Sequence, residues 1–343
     1  MKHSKTHIFI IKHVKNISFL LLFASEFTYY LLILQTGIVT YHHSLLSAIW
    51  MVPTGGILGI IASVALNKEK RWLMPLLLLM QLLLSFDYAT ANSLELFLLG
   101  IISGLTAPML IARIHTFWVV VSALALSYTF GTYMFNIEAA NRTTIALLLS
   151  CIALLGSLLP QVTVYRRTKQ ALSLYDTNNI FLWLLLDAAL FETLSRNSTM
   201  HLWGETPFTW IIIVFHIIGL IVAYRLRDDA RNDKILLLLF AVSYSTYMFG
   251  WQNALSVVYP FVISYYNVII LKKLYRLSYD NLAFVSLALW GASGLGLLIA
   301  LSHMFVLAWM VWLFLCFSYV WHKQTKFNML LDISIFNPLH KLH

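Results

Sequence analysis

Apolar residues run in long blocks that short polar turns interrupt, and twelve such blocks can be read along the chain: 17–35, 44–66, 72–88, 94–112, 116–135, 144–162, 179–195, 207–224, 235–249, 254–271, 282–300 and 305–320. A helix of roughly 20 residues spans the hydrocarbon of a bilayer. Most of the blocks approach that length, and the ninth is the shortest. None alternates with the period of two that a membrane barrel strand requires. Backbone polar groups in hydrocarbon must be satisfied within their own segment, so the pattern predicts helices. The fold class expected is all-α integral membrane, with 12 transmembrane helices.

The polar turns are unequal, and the inequality predicts a topology. With the N-terminus inside, Lys and Arg fall on the inner side before the first block and at Lys68, Lys70, Arg71, Arg113, Arg166, Arg167, Lys169, Arg225, Arg227, Arg231, Lys234, Lys272, Lys273, Arg276, Lys323, Lys326 and Lys341. That is 21 of the 23 basic residues; only Arg142 and Arg196 fall outside. Such bias follows the positive-inside rule, and one misplaced span would scramble it. Both termini are therefore expected in the cytoplasm. The first block contains Glu26 and ends without a small-x-small cleavage site, so it reads as a retained span and not a signal peptide.

Composition agrees. Hydrophobic residues make up 60% of the chain and charged residues 11%, with a mean hydropathy of +0.79. Soluble domains carry about 25% charged residues, so this chain has too little polar surface to meet water all round. The net charge of +9 is spent on topology and lipid headgroups, which removes nucleic acid as a partner. Cys151 and Cys316 lie in apolar runs and read as packing residues. No phosphate-binding loop, nucleophile elbow or zinc spacing occurs, so no enzyme activity, cofactor or metal is expected.

The turn after the second block has a counterpart. GIIASVALNKEKR from Gly59 to Arg71 returns 160 residues later as GLIVAYRLRDDAR, matching Gly59 to Gly219, Ile61 to Ile221, Leu66 to Leu226 and Arg71 to Arg231. In its six-plus-six topology, its repeated basic turn and the placing of Gly100, Gly104 and Pro108 in the fourth block, the chain resembles the major facilitator superfamily. The signature motifs are degenerate: Asn67 stands where an aspartate is usual, Leu96 where many members carry arginine, and Gly131 is the lone glycine of the fifth block. The resemblance implies two pseudo-symmetric six-helix bundles. Their expected bounds are a tail at 1–16, a first bundle at 17–164, a cytoplasmic joint at 165–178, a second bundle at 179–321 and a tail at 322–343.

Charge inside a span is the most informative local signal, because a carboxylate near mid-bilayer costs several kcal/mol unless it faces a cavity, finds a partner or takes up a proton. Glu26 and Asp187 alone among the 14 acidic residues sit mid-span, in the first and seventh blocks, 161 residues apart. By resemblance those helices flank a central cavity. The two acids are the leading candidates for proton coupling or substrate binding, with Tyr30, Trp183, Phe191 and His216 as companions. Aromatic rings around an acid suit an organic, amphipathic or cationic solute. Gating candidates are Lys68, Lys70, Arg71, Arg225, Arg227, Arg231 and the pair Glu192 and Arg196, which stand one turn apart. Glycines at Gly55, Gly56, Gly59, Gly100, Gly104, Gly291, Gly294 and Gly296 allow helices to approach closely.

Two functions compete. One is a secondary transporter moving a small organic solute by alternating access, proton-coupled, acting as a monomer in a bacterial inner membrane. The alternative is a non-transporting membrane scaffold or assembly factor derived from a transporter fold.

Overall fold

The computed structural model describes residues 2–37, 50–66, 70–159, 172–196, 200, 202–203, 206–226 and 229–336, with backbone alone at 2–12, 139–140, 229–230 and 325–336. Among the described residues the chain forms twelve α-helices: α1 (Lys2–Tyr29), α2 (Met51–Ala65), α3 (Leu73–Leu84), α4 (Ser93–Ala112), α5 (Phe117–Tyr133), α6 (Ala139–Leu158), α7 (Leu174–Arg196), α8 (Thr209–Arg225), α9 (Asp229–Met248), α10 (Gln252–Leu274), α11 (Tyr279–Leu301) and α12 (Phe305–Phe336). Tyr30–Gln35 continues α1 as a π-helical turn. The first and last helices extend into the segments expected as tails. Most of the expected joint lies outside the described residues, and α7 begins within it.

Among the described residues, six helical stretches are long and apolar enough to cross a membrane: His13–Gln35, Ser93–Ala112, Asn141–Leu158, Gln252–Leu274, Tyr279–Leu301 and Phe305–Gln324. α2, α3, α5 and α8 are apolar but shorter. α7 and α9 carry more charge. In α9 it is crowded into the first turns, DARNDK, ahead of an apolar remainder. The chain is a multi-pass integral membrane protein. Its helices differ in depth: 72% of the most apolar window of α10 is buried, against 11% for α12, so α10 is interior and α12 lies at the rim. Cys151, expected as a packing residue, is on an exposed face of α6.

The packing repeats. α2 runs along α4, α1 against α5 and α6, and α3 against α4 and α6. Moved on by six helices, these become α8 along α10, α7 against α11 and α12, and α9 against α10 and α12, all of which occur. The main contacts joining the two sets, α2 with α11 and α5 with α8, exchange with each other under the same shift.

Local chemistry fixes the helix ends. Asn92 and Glu95 form a capping box on α4: Asn92 Oδ1 accepts from the amides of Leu94 (2.9 Å) and Glu95 (3.1 Å), and Glu95 Oε2 accepts from the amide of Asn92 (2.7 Å). Lys272 from α10 donates to the carbonyls of Ala223 (2.5 Å), Tyr224 (3.1 Å) and Leu226 (2.9 Å), closing the C-terminus of α8. Lys273 bonds Asp176 at 2.8 Å and lies 3.7 Å from Asp233, tying the end of α10 to the starts of α7 and α9. Two lysines that the sequence offered as topology charges thus also join helices.

The tightest helix contact is between α2 and α4, where a Cβ on Gly104 would sit on the carbonyl of Gly56. With no side chain between them the backbones meet directly. Gly104→Val should therefore force the pair apart, and overpacking of this kind costs about 1–3 kcal/mol, read as a lower melting temperature of the purified protein. Gly291→Ala, where the nearest atom is 3.9 Å away, should leave that temperature within error.

Candidate functional site

A cavity of about 250 Å³ lies between the two sets of helices. Each wall is one stripe of residues three or four apart: Phe23, Glu26, Phe27 and Tyr30 on α1, and Leu184, Asp187, Ala188 and Phe191 on α7. α4 and α5 supply further stripes, and so do α10 and α11, their counterparts six helices on. His216 on α8 and Trp203 complete the lining toward one side. Of the residues the sequence singled out, Glu26, Asp187, Tyr30, Phe191 and His216 all reach this cavity. A smaller cavity of about 40 Å³ adjoins it, sharing Tyr30, Gln35, Trp290 and Ser293 and reaching Glu192.

The two acids are held differently. Asp187 is buried and both its oxygens accept from phenols of α10: Oδ1 from Tyr259 at 2.9 Å and Oδ2 from Tyr266 at 2.5 Å. Glu26 is only partly buried; its Oε1 accepts from Gln81 of α3 at 2.9 Å, whose amide is 3.4 Å from Ser150 Oγ. Among the described residues neither acid has a lysine or arginine partner. Neutral donors hold both carboxylates in place while leaving their charge uncompensated.

The surrounding polar groups link helices across the cavity. His216 Nδ1 lies 2.7 Å from Ser264 Oγ, and its ring stacks on Tyr128 with centroids 4.5 Å apart. Asn267 of α10 donates to the Tyr128 hydroxyl at 2.7 Å. Tyr30 and Ser293 hydroxyls approach to 3.3 Å, and the Tyr30 ring meets Trp290 edge-on. At one end Phe117 packs on Tyr224 and Tyr275, beside the basic connections. At the other, Phe135 packs on Phe191 and Trp203. Of these two aromatic clusters, Phe135, Phe191 and Trp203 line the cavity, whereas Phe117, Tyr224 and Tyr275 join the helix sets outside its lining.

Other candidates lie elsewhere. Trp183 is one turn before Asp187 but is not in the wall; it is fully buried with the Lys273 ammonium 5.3 Å from its ring centre. Glu192 and Arg196 form the expected ion pair at 2.8 Å beside the smaller cavity, where Gln35 also bonds Glu192. Lys70, Arg71, Arg225 and Arg231 are exposed and away from the cavity. Lys68 and Arg227 lie outside the described residues.

Several residues that build the site were hidden in the sequence. Tyr259 and Tyr266 are two of 17 tyrosines, and nothing local marks them as partners of Asp187. Gln81, a lone amide in LMPLLLLMQLLL, did carry a signal as a hydrogen-bonding residue, though not its target. Arg142, read as an outer-loop charge, is buried in α6. Its Nη1 donates to the carbonyl of Leu32 (2.6 Å) and to Thr36 Oγ1 (3.2 Å), and its Nη2 to the carbonyl of Phe135 (3.1 Å). Thr36 donates to the carbonyls of Leu31 and Leu32, and Tyr88 to that of Ile33. A π turn leaves carbonyls poorly aligned with their usual donors, and these three side chains satisfy them just beyond Tyr30.

No protein-family model matches the chain, and no curated protein matches its sequence. Among solved structures, the crystal structure of the human organic anion transporter MFSD10 (TETRAN) is similar, with a TM-score of 0.60 at 14% identity over 90% of this chain and 98% of that one. At that identity the likeness is one of fold alone.

Arg142→Met should strip donors from the π turn of α1. Hydrogen bonds to a charged group are worth about 1.5–3 kcal/mol, so the variant should melt several degrees below wild type. Arg142→Lys should recover only part of the loss, since one ammonium cannot span the carbonyls of Leu32 and Phe135.

Proposed function

We propose that the chain is a secondary active transporter that carries a small organic solute through the membrane by alternating access. Its twelve helices act as two six-helix bundles, 17–164 and 179–321, with both termini on the cytoplasmic side of a bacterial inner membrane. The bundles rock about the cavity, opening the Phe117 end and the Phe135 end in turn. Glu26 and Asp187 are the coupling residues: each is a carboxylate in a low-dielectric site with hydroxyl or amide partners and no fixed cation, so each is free to exchange a proton for solute. Exposed basic residues at Lys70, Arg71, Arg225 and Arg231, with Lys68 and Arg227 near them in sequence, favour the state closed to the cytoplasm. The pair of Glu192 and Arg196 borders the opposite end.

One observation carries this reading. Stripes from α1, α4 and α5, matched by stripes from α7, α10 and α11, enclose a single cavity that holds both mid-span acids. The similarity in fold to a transporter supports it. A scaffold has no use for two uncompensated carboxylates facing a shared void, since each costs several kcal/mol in hydrocarbon.

The test is accumulation of an organic-solute panel in proteoliposomes under an imposed pH gradient. Wild type should concentrate at least one solute, and Glu26→Gln or Asp187→Asn should cut gradient-driven accumulation by 10-fold or more without loss of folded protein. Normal accumulation by both variants would refute the coupling assignment. No transport of any solute, together with a stable co-purifying protein, would favour the scaffold.

A further inference from the structure

The sign of the charge around the cavity has a consequence for what it can hold. The residues lining the larger cavity include two carboxylates, Glu26 and Asp187, and no lysine or arginine. The smaller cavity adds Glu192, whose charge Arg196 answers at 2.8 Å. Across the two adjoining cavities three acids line the walls and no lysine or arginine does; Arg196 reaches Glu192 from outside the lining. The remaining wall is apolar and aromatic, with Phe27, Tyr30, Tyr128 and Trp290 among its rings.

An anion entering this space would shed its water, meet two groups able to carry its own sign, and find no fixed cation in return. A neutral solute would gain from the rings but leave the acids unanswered. A monovalent organic cation answers both features. Its apolar body displaces water from aromatic walls, and its charge compensates a carboxylate while lying against ring faces.

We propose that the cavity selects an organic cation with an apolar body, and that Glu26 is the counter-ion of its charged head. This rests on the transporter reading and narrows its cargo. Glu26 takes the role in preference to Asp187 because Asp187 is buried with both oxygens occupied by Tyr259 and Tyr266, whereas Glu26 is partly exposed and the Gln81 bond falls on one oxygen. Tyr30 stands one turn beyond Glu26 on the same stripe, and Trp290 meets it across the cavity with ring centroids 6.0 Å apart. An ammonium beside Glu26 lies against these two rings. Asp187 contributes negative potential without touching the head. The sign chosen is opposite to that in the description of MFSD10 as an organic anion transporter, so a shared fold here goes with a different lining.

The experiment measures binding of radiolabelled N,N,N-trimethylanilinium, a permanent cation, to the full-length protein in detergent, competed by benzenesulfonate and by neutral 2-phenyl-2-propanol. Saturable binding of the cation, at least 10-fold tighter than either competitor, is expected. Glu26→Gln should weaken the cation at least 10-fold, more than Asp187→Asn does, with the unliganded melting temperature unchanged. If Glu26→Gln does not fold, Trp290→Leu should still weaken the cation more than the neutral alcohol. Equal or tighter binding of benzenesulfonate, or an unaltered cation affinity in Glu26→Gln, would overturn the inference and leave the transporter reading standing. Absence of binding by all three probes to folded wild type would overturn it and remove the solute site from the transporter reading as well. Cation binding without uptake in proteoliposomes would keep this inference and sink transport alone.

Discussion

Hydrocarbon offers no water to a polar group, and the interior of this protein is arranged around that lack. Several polar groups at the site are met by another helix. Glu26 is met by Gln81 from α3, Asp187 by two phenols from α10, and His216 by Ser264. The carbonyls of the π turn are met by Arg142, Thr36 and Tyr88. Such bonds are modest singly, averaging about 0.6 kcal/mol between membrane helices. Their larger effect is on position: a carboxyl group anchored by neutral donors stays where it is. The described residues that line the cavity include no lysine or arginine beside either acid.

The same scarcity of polar contacts explains why shape governs the packing. Leucine is as content against lipid as against another helix, so close approach must come from small residues. Gly56 and Gly104 bring the backbones of α2 and α4 together, and Gly219 does the same for α8 against Phe261 of α10, the corresponding pair six helices on. The contacts joining the sets add side chains to such close approach: Gly56 of α2 lies hard against the Trp290 ring of α11, His216 stacks on Tyr128, the Tyr30 and Ser293 hydroxyls pair, and Asn267 donates to Tyr128.

Much of this was legible in the sequence because a bilayer imposes strong rules on a chain. Apolar blocks gave the helices, and the repeated turn at Arg71 and Arg231 pointed to a plan of six plus six. Two acids in corresponding blocks led to the cavity, because burying charge is costly enough to need a reason. What stayed hidden is what depends on partners distant in sequence. Trp183 was grouped with Asp187 by its spacing of four, yet α7 is buried on more than one face and that ring went to Lys273 instead. Arg142 carried an outer-loop signal because charge counting records a side and not a depth. Tyr259 and Tyr266 had no signal at all, since tyrosine is common throughout this chain and only the packing of α10 on α7 selects these two.

The central claim is that one six-helix set moves against the other about the cavity. It is tested most directly by spin-label distances between α3 and α12, one helix from each set, measured at both ends. Trp72→Cys with Trp321→Cys reports one end and Phe86→Cys with Val306→Cys the other, all four positions being well exposed, with Cys151 and Cys316 replaced by serine. On adding a bound solute or acidifying one face, one distance should lengthen as the other shortens. Distances that both stay fixed, or that change in the same direction, would contradict the account.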